Sequence, residues 1–150
     1  MFKKILYSTD FSDVALKALG YIKQLKEAGS QEVVILHVIN QRTIDGLMRH
    51  AISNSNLDAW LIKAKEVAQE SLTEMRRELE DLGFSVKIVI KTGFPFSEIL
   101  KLEETEAPSI VVIGSHGRSN IAEIFLGSVS ERVIRRCKQP VMVIKRDPAE

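Results

Sequence analysis

The sequence predicts one α/β domain over residues 1–150, built as an open five-stranded parallel sheet with helices on both faces. Short runs rich in β-branched residues alternate with longer stretches in which apolar residues recur at helical spacing, a pattern typical of βαβ units. Two runs, 33–39 and 110–113, are almost continuously apolar, as expected for strands that helices cover on both faces. The predicted strands are residues 5–7, 33–39, 86–90, 110–113 and 141–144.

Four helices are predicted between these strands. Ser12 is placed to cap the first, which carries an apolar stripe at helical spacing. The second covers residues 57–82 and ends at Gly83, because glycine is favoured just past a helix. Pro95 opens the third, since proline is favoured in a first turn. The fourth carries Val129, Val133 and Cys137 on one side.

The least regular segment is residues 40–56, which contains Gly46 and the polar run SNSN. It is predicted either as a short helix near residues 44–52 or as a mobile loop. In either form it connects the second strand to the long helix.

The third and fifth runs differ from the others in a way that suits the edges of the sheet. Residues 85–91, SVKIVIK, alternate with lysines, as expected for an edge strand. The fifth run follows Pro140, which is tolerated at a strand start, and is apolar on both faces. As an edge it would recruit a partner strand, and the alternative is a position inside the sheet. We therefore expect a homodimer that pairs through Val141, Met142, Val143 and Ile144.

Composition and charge exclude several classes of protein. The 21 basic and 20 acidic residues give a net charge of +1, too little for a whole-molecule field that attracts nucleic acid. The single cysteine, Cys137, rules out an internal disulfide framework. No apolar run approaches the roughly 20 residues of a membrane span, and the N-terminus lacks the long apolar region of a signal peptide. We expect a cytoplasmic protein without a nucleic-acid or membrane partner.

A stretch rich in glycine and serine, from Gly114 to Ser130, joins the fourth strand to the fourth helix. In open α/β sheets, ligands bind beyond the carboxyl ends of neighbouring strands whose connections leave to opposite faces. If the strand order is 3-2-1-4-5, that point lies between the first and fourth strands, and Asp10 lies beside Gly114. Glycine-turn amides and a helix beginning near Ser128 favour an anion, while a carboxylate accepts from sugar hydroxyls. These groups together outline a nucleotide site.

The spacing of Gly114, Gly117 and the pair Gly127–Ser128 resembles the ATP-binding signature of universal stress proteins. The resemblance extends to KKILYSTDFS in the first strand and turn, to VVILHVI in the second strand, and to the whole C-terminal third. It implies a Rossmann-like sheet in the order 3-2-1-4-5 and dimers that pair through the last strand. It also implies bound ATP, which Mg²⁺ would accompany through phosphate oxygens and water.

The same resemblance implies a role for residues of both turns. Asp10 would face the ribose and Val38 would line the adenine pocket, while residues 114–120 and 127–130 would hold the ribose and phosphates. Ser8 departs from the family pattern, which often has proline there. The implied site comprises Ser8, Thr9, Asp10, Val38, Ile113, Gly114, Ser115, His116, Gly117, Arg118, Ser119, Asn120, Gly127, Ser128, Val129 and Ser130.

Some of these residues have an alternative interpretation that needs no ligand. Residues 128–131, SVSE, have the pattern of a capping box in which Ser128 caps the helix and Glu131 reaches back. Gly114 and Gly117 could simply build a strand-to-helix turn. Asp10 could cap the first helix, although Ser12 is well placed for that role.

The histidines and the cysteine are interpreted as structural. His116 lies in a turn, where a positional role is commoner than catalysis. His37 lies within a buried strand, where a satisfied hydrogen bond is commoner than metal ligation. Cys137 falls on the apolar side of the last helix and is expected in the core.

Three functions fit these observations. The first is an ATP-binding sensor or switch in stress adaptation, which shows its nucleotide state to an unknown protein partner. The second is a slow ATPase or phosphotransferase, and the third is a scaffolding dimer without ligand. The sequence has no P-loop, no G-x-G-x-x-G after the first strand and no zinc-ligand spacing. We favour the first, since phosphoryl transfer needs a positioned base and the sequence assigns no catalytic or metal-ligating residue.

Overall fold

A computed structural model describes residues 1–50, 53–116 and 126–147. Across these ranges, strands and helices alternate as predicted, and no helix there is both long and apolar enough to cross a membrane. The strands are β1 (Lys4–Ser8), β2 (Glu32–Asn40), β3 (Ser85–Gly93), β4 (Ile110–Gly114) and β5 (Val141–Ile144). The helices are α1 (Asp13–Leu25), α2 (Gln41–Arg49), α3 (Asn54–Asp81), α4 (Pro95–Glu106) and α5 (Ser128–Arg136).

The helix ends follow the predicted local chemistry. Ser12 caps α1 through its side-chain oxygen, and Pro95 opens α4. Gly83 follows α3 with φ 95°, a left-handed conformation that glycine adopts without steric cost. Within the irregular segment, residues 41–49 form a helix rather than a loop. This helix, α2, begins earlier than predicted because the Asn40 side chain caps it.

The sheet has the strand order β3-β2-β1-β4-β5, and all neighbouring strands are parallel. The predicted order and both predicted edges are therefore confirmed. β3 pairs with β2 along nine residues, from Ser85 opposite Glu32 to Gly93 opposite Asn40. β5 forms the other edge, where Ile144 lies opposite Gly114 at the carboxyl end.

Each face of the sheet has its own buried core. α1 and α3 cover one face, where Tyr7 and Leu72 belong to one buried cluster. α4 and α5 cover the other, where Ile99 and Val133 belong to a second cluster. The burial of apolar surface, which stabilises the fold by roughly 25 cal/mol for each Å² removed from water, is the main interaction that holds these layers together. Helices on both faces confirm the predicted architecture.

A buried carboxylate fixes the turn that leads into β5. Glu103 of α4 is 9% exposed, and its Oε1 accepts from the amides of Lys138 and Gln139 at 2.7 and 2.8 Å. Cys137, at the end of α5 and expected in the core, is half-buried and packs against the core beneath α4 and α5. Burial is the main cause that raises the pKa of the Cys137 thiol to about 12, and the neighbouring Glu103 carboxylate contributes in the same direction. The thiol is therefore protonated and weakly nucleophilic at neutral pH.

A charged cluster clamps the amino-terminal edge of the sheet to the end of α4. The Glu106 carboxylate accepts from Lys4 Nζ at 3.0 Å and also pairs with Lys87 of β3. Ser109 adds a second tie, since its Oγ accepts from the Lys4 amide at 3.0 Å and donates to the Lys4 carbonyl oxygen at 2.9 Å. Hydrogen bonds from Lys87 and then Lys4 hold the pKa of Glu106 below its usual value.

Replacing Glu106 with glutamine removes this charge and keeps the shape. A lowered folded-state pKa means that the carboxylate stabilises the fold above the unfolded-state value near 4.5, and that this contribution is lost as pH falls through the folded-state value. We expect Glu106→Gln to lower the free energy of unfolding by about 1 kcal/mol at pH 7, with a smaller difference from wild type below pH 4.5. Urea unfolding at several pH values measures it.

Glu104→Gln, on an exposed position of the same helix, is the matched control and should change stability little. An equal loss in both variants, or a Glu106→Gln loss that persists unchanged in acid, would contradict the clamp.

Candidate functional site

The helices that follow β1 and β4 lie on opposite faces of the sheet. α1, which follows β1, packs in the cluster that contains Tyr7, and α5, which follows β4, packs in the cluster that contains Val133. Because β1 and β4 are parallel neighbours followed by helices on opposite faces, their carboxyl ends form a topological switch point, the place where open α/β sheets generally bind ligands. The described parts of the predicted site, the turn after β1 and the end of β4, lie at this switch point.

Side-chain acceptors hold the turn that follows β1, residues 9–12. Thr9 Oγ1 accepts from the Phe11 amide at 3.1 Å, and Asp10 Oδ1 accepts from the Ser12 amide at 3.0 Å. The Thr9 amide donates to a carbonyl oxygen of β2 at 2.9 Å. The chain reverses sharply within this turn, and Phe11 has φ 63°. Asp10 is half-buried at the carboxyl edge, with its carboxylate oriented by the Ser12 amide.

Tyr7 ties this region to α1 from inside the core. Its side chain is fully buried, and its hydroxyl donates to the Ala15 carbonyl oxygen at 2.5 Å. Burial raises the pKa of Tyr7 to about 12, so the hydroxyl stays protonated and remains a donor at neutral pH. The first turns of α1 are thereby fixed on β1.

The end of β4 lies directly against the first turn of α1. A Cβ atom built on Gly114 would lie 2.9 Å from Cγ2 of Val14 and 3.2 Å from the backbone nitrogen of Ala15. A close-packed interior has no room for a methyl group at such distances. Glycine at position 114 is therefore needed for helix-to-strand packing, independently of any ligand. The same contact brings the end of β4 next to the turn that carries Asp10.

Hydrogen bonds fix both ends of the segment between β4 and α5. The Ser115 amide donates to the Ile144 carbonyl oxygen at 2.8 Å, and the Ser115 carbonyl oxygen accepts from the Gly127 amide at 2.6 Å. Ser130 Oγ donates to the Gly114 carbonyl oxygen at 2.7 Å. Ser115 and Ser130 are buried, so both hydroxyls have a place in the fold itself.

The predicted capping box at the start of α5 is wrong. Gly127, rather than Ser128, is the N-cap residue, and its carbonyl oxygen accepts from the Glu131 amide at 3.0 Å. Glu131 pairs with Arg135 at 2.9 Å instead of reaching back. The cause is the hydrogen bond from Gly127 to Ser115, which holds Gly127 as the last extended residue. Among the described residues, no side chain caps α5, so the amides of its first turn lack a side-chain acceptor.

The two histidines near the site both contact polar neighbours. His116 Nδ1 lies 2.8 Å from Ser115 Oγ, which fits a positional role. His37 Nδ1 lies 2.9 Å from the Thr9 carbonyl oxygen, and its ring stacks on Phe11 with 4.5 Å between centroids and 28° between planes. The predicted satisfied hydrogen bond of His37 is thus present, although its side chain is partly rather than fully buried.

Other predicted site residues lie at the same edge of the sheet. Val38 and Ile113, near the carboxyl ends of β2 and β4, are 8% and 4% exposed and belong to the core beneath α4 and α5. Thr9 is buried, and Ser8 is half-buried at the end of β1. The predicted residues Gly117, Arg118, Ser119 and Asn120 lie outside the described residues.

Phe11 could not be predicted as part of this site from the local sequence. Positive φ is expected of glycine or asparagine, and a bulky residue adopts it rarely. The stack joins Phe11 of the 9–12 turn to His37 of β2, a contact between distant parts of the chain that no local pattern encodes. The aromatic residue beside Asp10 was the one available signal.

The family model described as the universal stress protein family matches residues 1–145. The chain is similar to universal stress protein MJ0577 of Methanocaldococcus jannaschii, with 42% identity over 97% of this chain and 96% of that protein. The structure also superposes on the solved structure of MJ0577 with a TM-score of 0.90, over 99% of this chain and 99% of that chain.

Two further solved structures share the fold at lower identity. A universal stress protein in complex with cAMP is 22% identical, with a TM-score of 0.62 over 96% of this chain and 97% of that chain. A universal stress protein family protein from Arabidopsis thaliana with AMP bound is 18% identical, with a TM-score of 0.68 over 97% of this chain and 92% of that chain.

Substituting alanine at Gly114 tests the contact between β4 and α1. The added methyl group must displace Val14 or the backbone of α1, so we expect the free energy of unfolding to fall by roughly 1–3 kcal/mol. Gly20→Ala is the matched control, because a Cβ there would meet nothing within 4 Å and should stabilise α1 by about 0.5–1 kcal/mol. Urea unfolding compares the two, and a Gly114→Ala protein as stable as wild type would refute the close contact.

Proposed function

The chain belongs to the universal stress protein family, and we propose that it binds ATP at the switch point between β1 and β4. The bound nucleotide then acts as the signal of a sensor or switch in stress adaptation, which a protein partner reads.

The observation that carries this proposal is an acceptor and a set of donors at one crevice. Asp10 places an oriented carboxylate at the end of β1. α5 begins at Ser128 without a side-chain cap among the described residues, so its first-turn amides and positive dipole end favour an anion. The contact of Gly114 with α1 holds the two turns together. A sugar acceptor beside phosphate donors suits a nucleotide.

Adenine and ribose are the parts of the ligand that the relatives support. Two proteins of this fold are solved with AMP and with cAMP, which share an adenosine unit. In this chain we assign the ribose hydroxyls to Asp10 and the apolar base to the end of β2 near Val38. Among the described residues, no cluster of three or more acidic, histidine or cysteine side chains suits a metal ion. Mg²⁺ would be held mainly by the phosphates and water.

The groups at the crevice favour binding over turnover. Its donors are backbone amides, and its carboxylate is oriented by the Ser12 amide. His116 is hydrogen-bonded through Nδ1 to the hydroxyl of its neighbour Ser115. Phosphoryl transfer needs a base aligned with an attacking group. We therefore propose that occupancy, rather than hydrolysis, carries the signal.

Removing the Asp10 carboxylate tests the proposed ribose contact. We expect wild type to bind ATP in titration calorimetry, and Asp10→Ala to lose roughly 1–3 kcal/mol of binding free energy, the scale of a hydrogen bond to a charged group. The loss should be smaller for 2′-deoxy-ATP, which lacks one of the hydroxyls that the carboxylate would accept from.

Asp13→Ala is the matched control, since it removes an exposed carboxylate of the same region that pairs with Arg146. Its ATP affinity should stay near that of wild type. A wild type that binds no nucleotide would end the proposed function, while an equal loss for both nucleotides would remove Asp10 from the 2′ contact.

We also propose that β5 pairs with its own copy in a homodimer. β5 is an edge strand whose side chains Val141, Met142 and Val143 remain half-buried. Two-fold pairing would satisfy the backbone groups of both edges at once. β3, at the opposite edge, presents exposed Lys87 and Lys91, which discourage pairing there.

A charge in the proposed seam should break the dimer. A lysine at position 143 would have to lose water without gaining a partner, which is costly. We expect wild type to sediment as a dimer at micromolar concentration and Val143→Lys as a monomer. Val86→Lys, at a half-buried valine of β3, controls for damage to the core and should remain dimeric. A monomeric wild type, or a Val143→Lys dimer as tight as wild type, speaks against this interface.

A further inference from the structure

His37 of β2 contacts the turn that carries Asp10. Its Nδ1 lies 2.9 Å from the Thr9 carbonyl oxygen. A carbonyl oxygen can only accept a hydrogen bond, so Nδ1 carries the proton and donates. His37 therefore holds the peptide group that joins Thr9 to Asp10, and any shift of that peptide group moves the Asp10 side chain with it.

The same imidazole supports Phe11, on the other side of Asp10. The two rings stack with 4.5 Å between their centroids, and Phe11 has φ 63°. A residue with a Cβ atom adopts this left-handed conformation only against a steric cost. The hydrogen bond from the Ser12 amide to Asp10 Oδ1 depends on this reversal of the chain. His37 thus contacts the turn on both sides of the carboxylate.

His37 reaches the turn from the face opposite the proposed base pocket. Side chains alternate between the two faces along a strand. Val33 and Ile35 belong to the core beneath α1 and α3, whereas Val34, Leu36 and Val38 belong to the core beneath α4 and α5. His37 continues the first set, together with Phe11, which packs at that core. Its position suits a support behind the turn rather than a contact with the base.

We propose that His37 is a positioning residue for nucleotide recognition, which holds the 9–12 turn so that the Asp10 carboxylate faces the ribose. This inference rests on the proposed function, because it concerns the same acceptor. Without the Nδ1 donor and the stack, the turn relaxes and the carboxylate is correctly placed for only a fraction of the time. The apparent affinity for nucleotide falls by that fraction.

A double-mutant cycle with ATP as the probe tests this role. His37→Leu replaces the imidazole with an apolar side chain that cannot donate a hydrogen bond. We expect about tenfold weaker ATP binding in calorimetry. In the Asp10→Ala background the same substitution should cost about twofold or less, because the acceptor that His37 positions is already gone. His37→Asn, whose amide nitrogen can donate from the place of Nδ1, should bind within about threefold of wild type.

The controls separate positioning from general damage to the fold. His50→Leu, at an exposed histidine after α2, should leave ATP affinity unchanged. Circular dichroism and thermal melts establish that each variant folds. If His37→Leu does not fold, His37→Asn is compared with His37→Gln, whose amide sits one methylene further out and should bind clearly more weakly than the Asn variant.

Three results would overturn the proposal. An equal loss from His37→Leu in both backgrounds would give His37 a merely structural role. Equal affinity of the Asn and Gln variants would show that the donor position does not matter. A wild type that binds no ATP would end the proposed function, and this inference with it, whereas the first two results leave the proposed function standing.

Discussion

The contact between Gly114 and the first turn of α1 is the constraint on which the carboxyl edge of the sheet depends. β4 and β1 are parallel neighbours, and the helices that follow them lie on opposite faces of the sheet. A contact between the two strand ends is therefore needed to keep them together. With no side chain at position 114, the end of β4 lies against Val14 and Ala15 in van der Waals contact. The end of β4 and the turn that carries Asp10 thus lie side by side at the carboxyl edge of the sheet.

Buried polar groups make this edge rigid because each has a partner. Tyr7 binds the carbonyl oxygen of Ala15, Ser130 binds that of Gly114, and Thr9 accepts from the Phe11 amide. A buried polar atom left without a partner costs more than the bond itself contributes, so such groups resist displacement. For the nucleotide site that we propose, this means that the Asp10 carboxylate is oriented before a ligand binds, so binding would not have to order it.

The two edges of the sheet are secured by different chemistry. Near β3, Glu106 gathers Lys4 and Lys87 into a charged clamp at the amino-terminal end. Near β5, the buried Glu103 carboxylate accepts backbone amides and fixes the approach of the strand. After β5, Arg146 pairs with Asp13 beside the Asp10 turn. This pair ties the chain just after the apolar edge strand to the first turn of α1.

The sequence by itself determined the architecture and the edge of the sheet at which the turns after β1 and β4 meet. Strand periodicity, the Ser12 cap, Pro95 and Gly83 are short-range properties, and they correctly predicted four helices, five strands and both edges. Parallel order then required that the turns after β1 and β4 meet. Only the tertiary structure decided how they meet. Gly127 became the N-cap because Ser115 binds it, Phe11 took a left-handed conformation against the stack with His37, and α1 made glycine necessary at 114. Each of these depends on atoms far apart in the chain, and local propensity carries no information about such contacts.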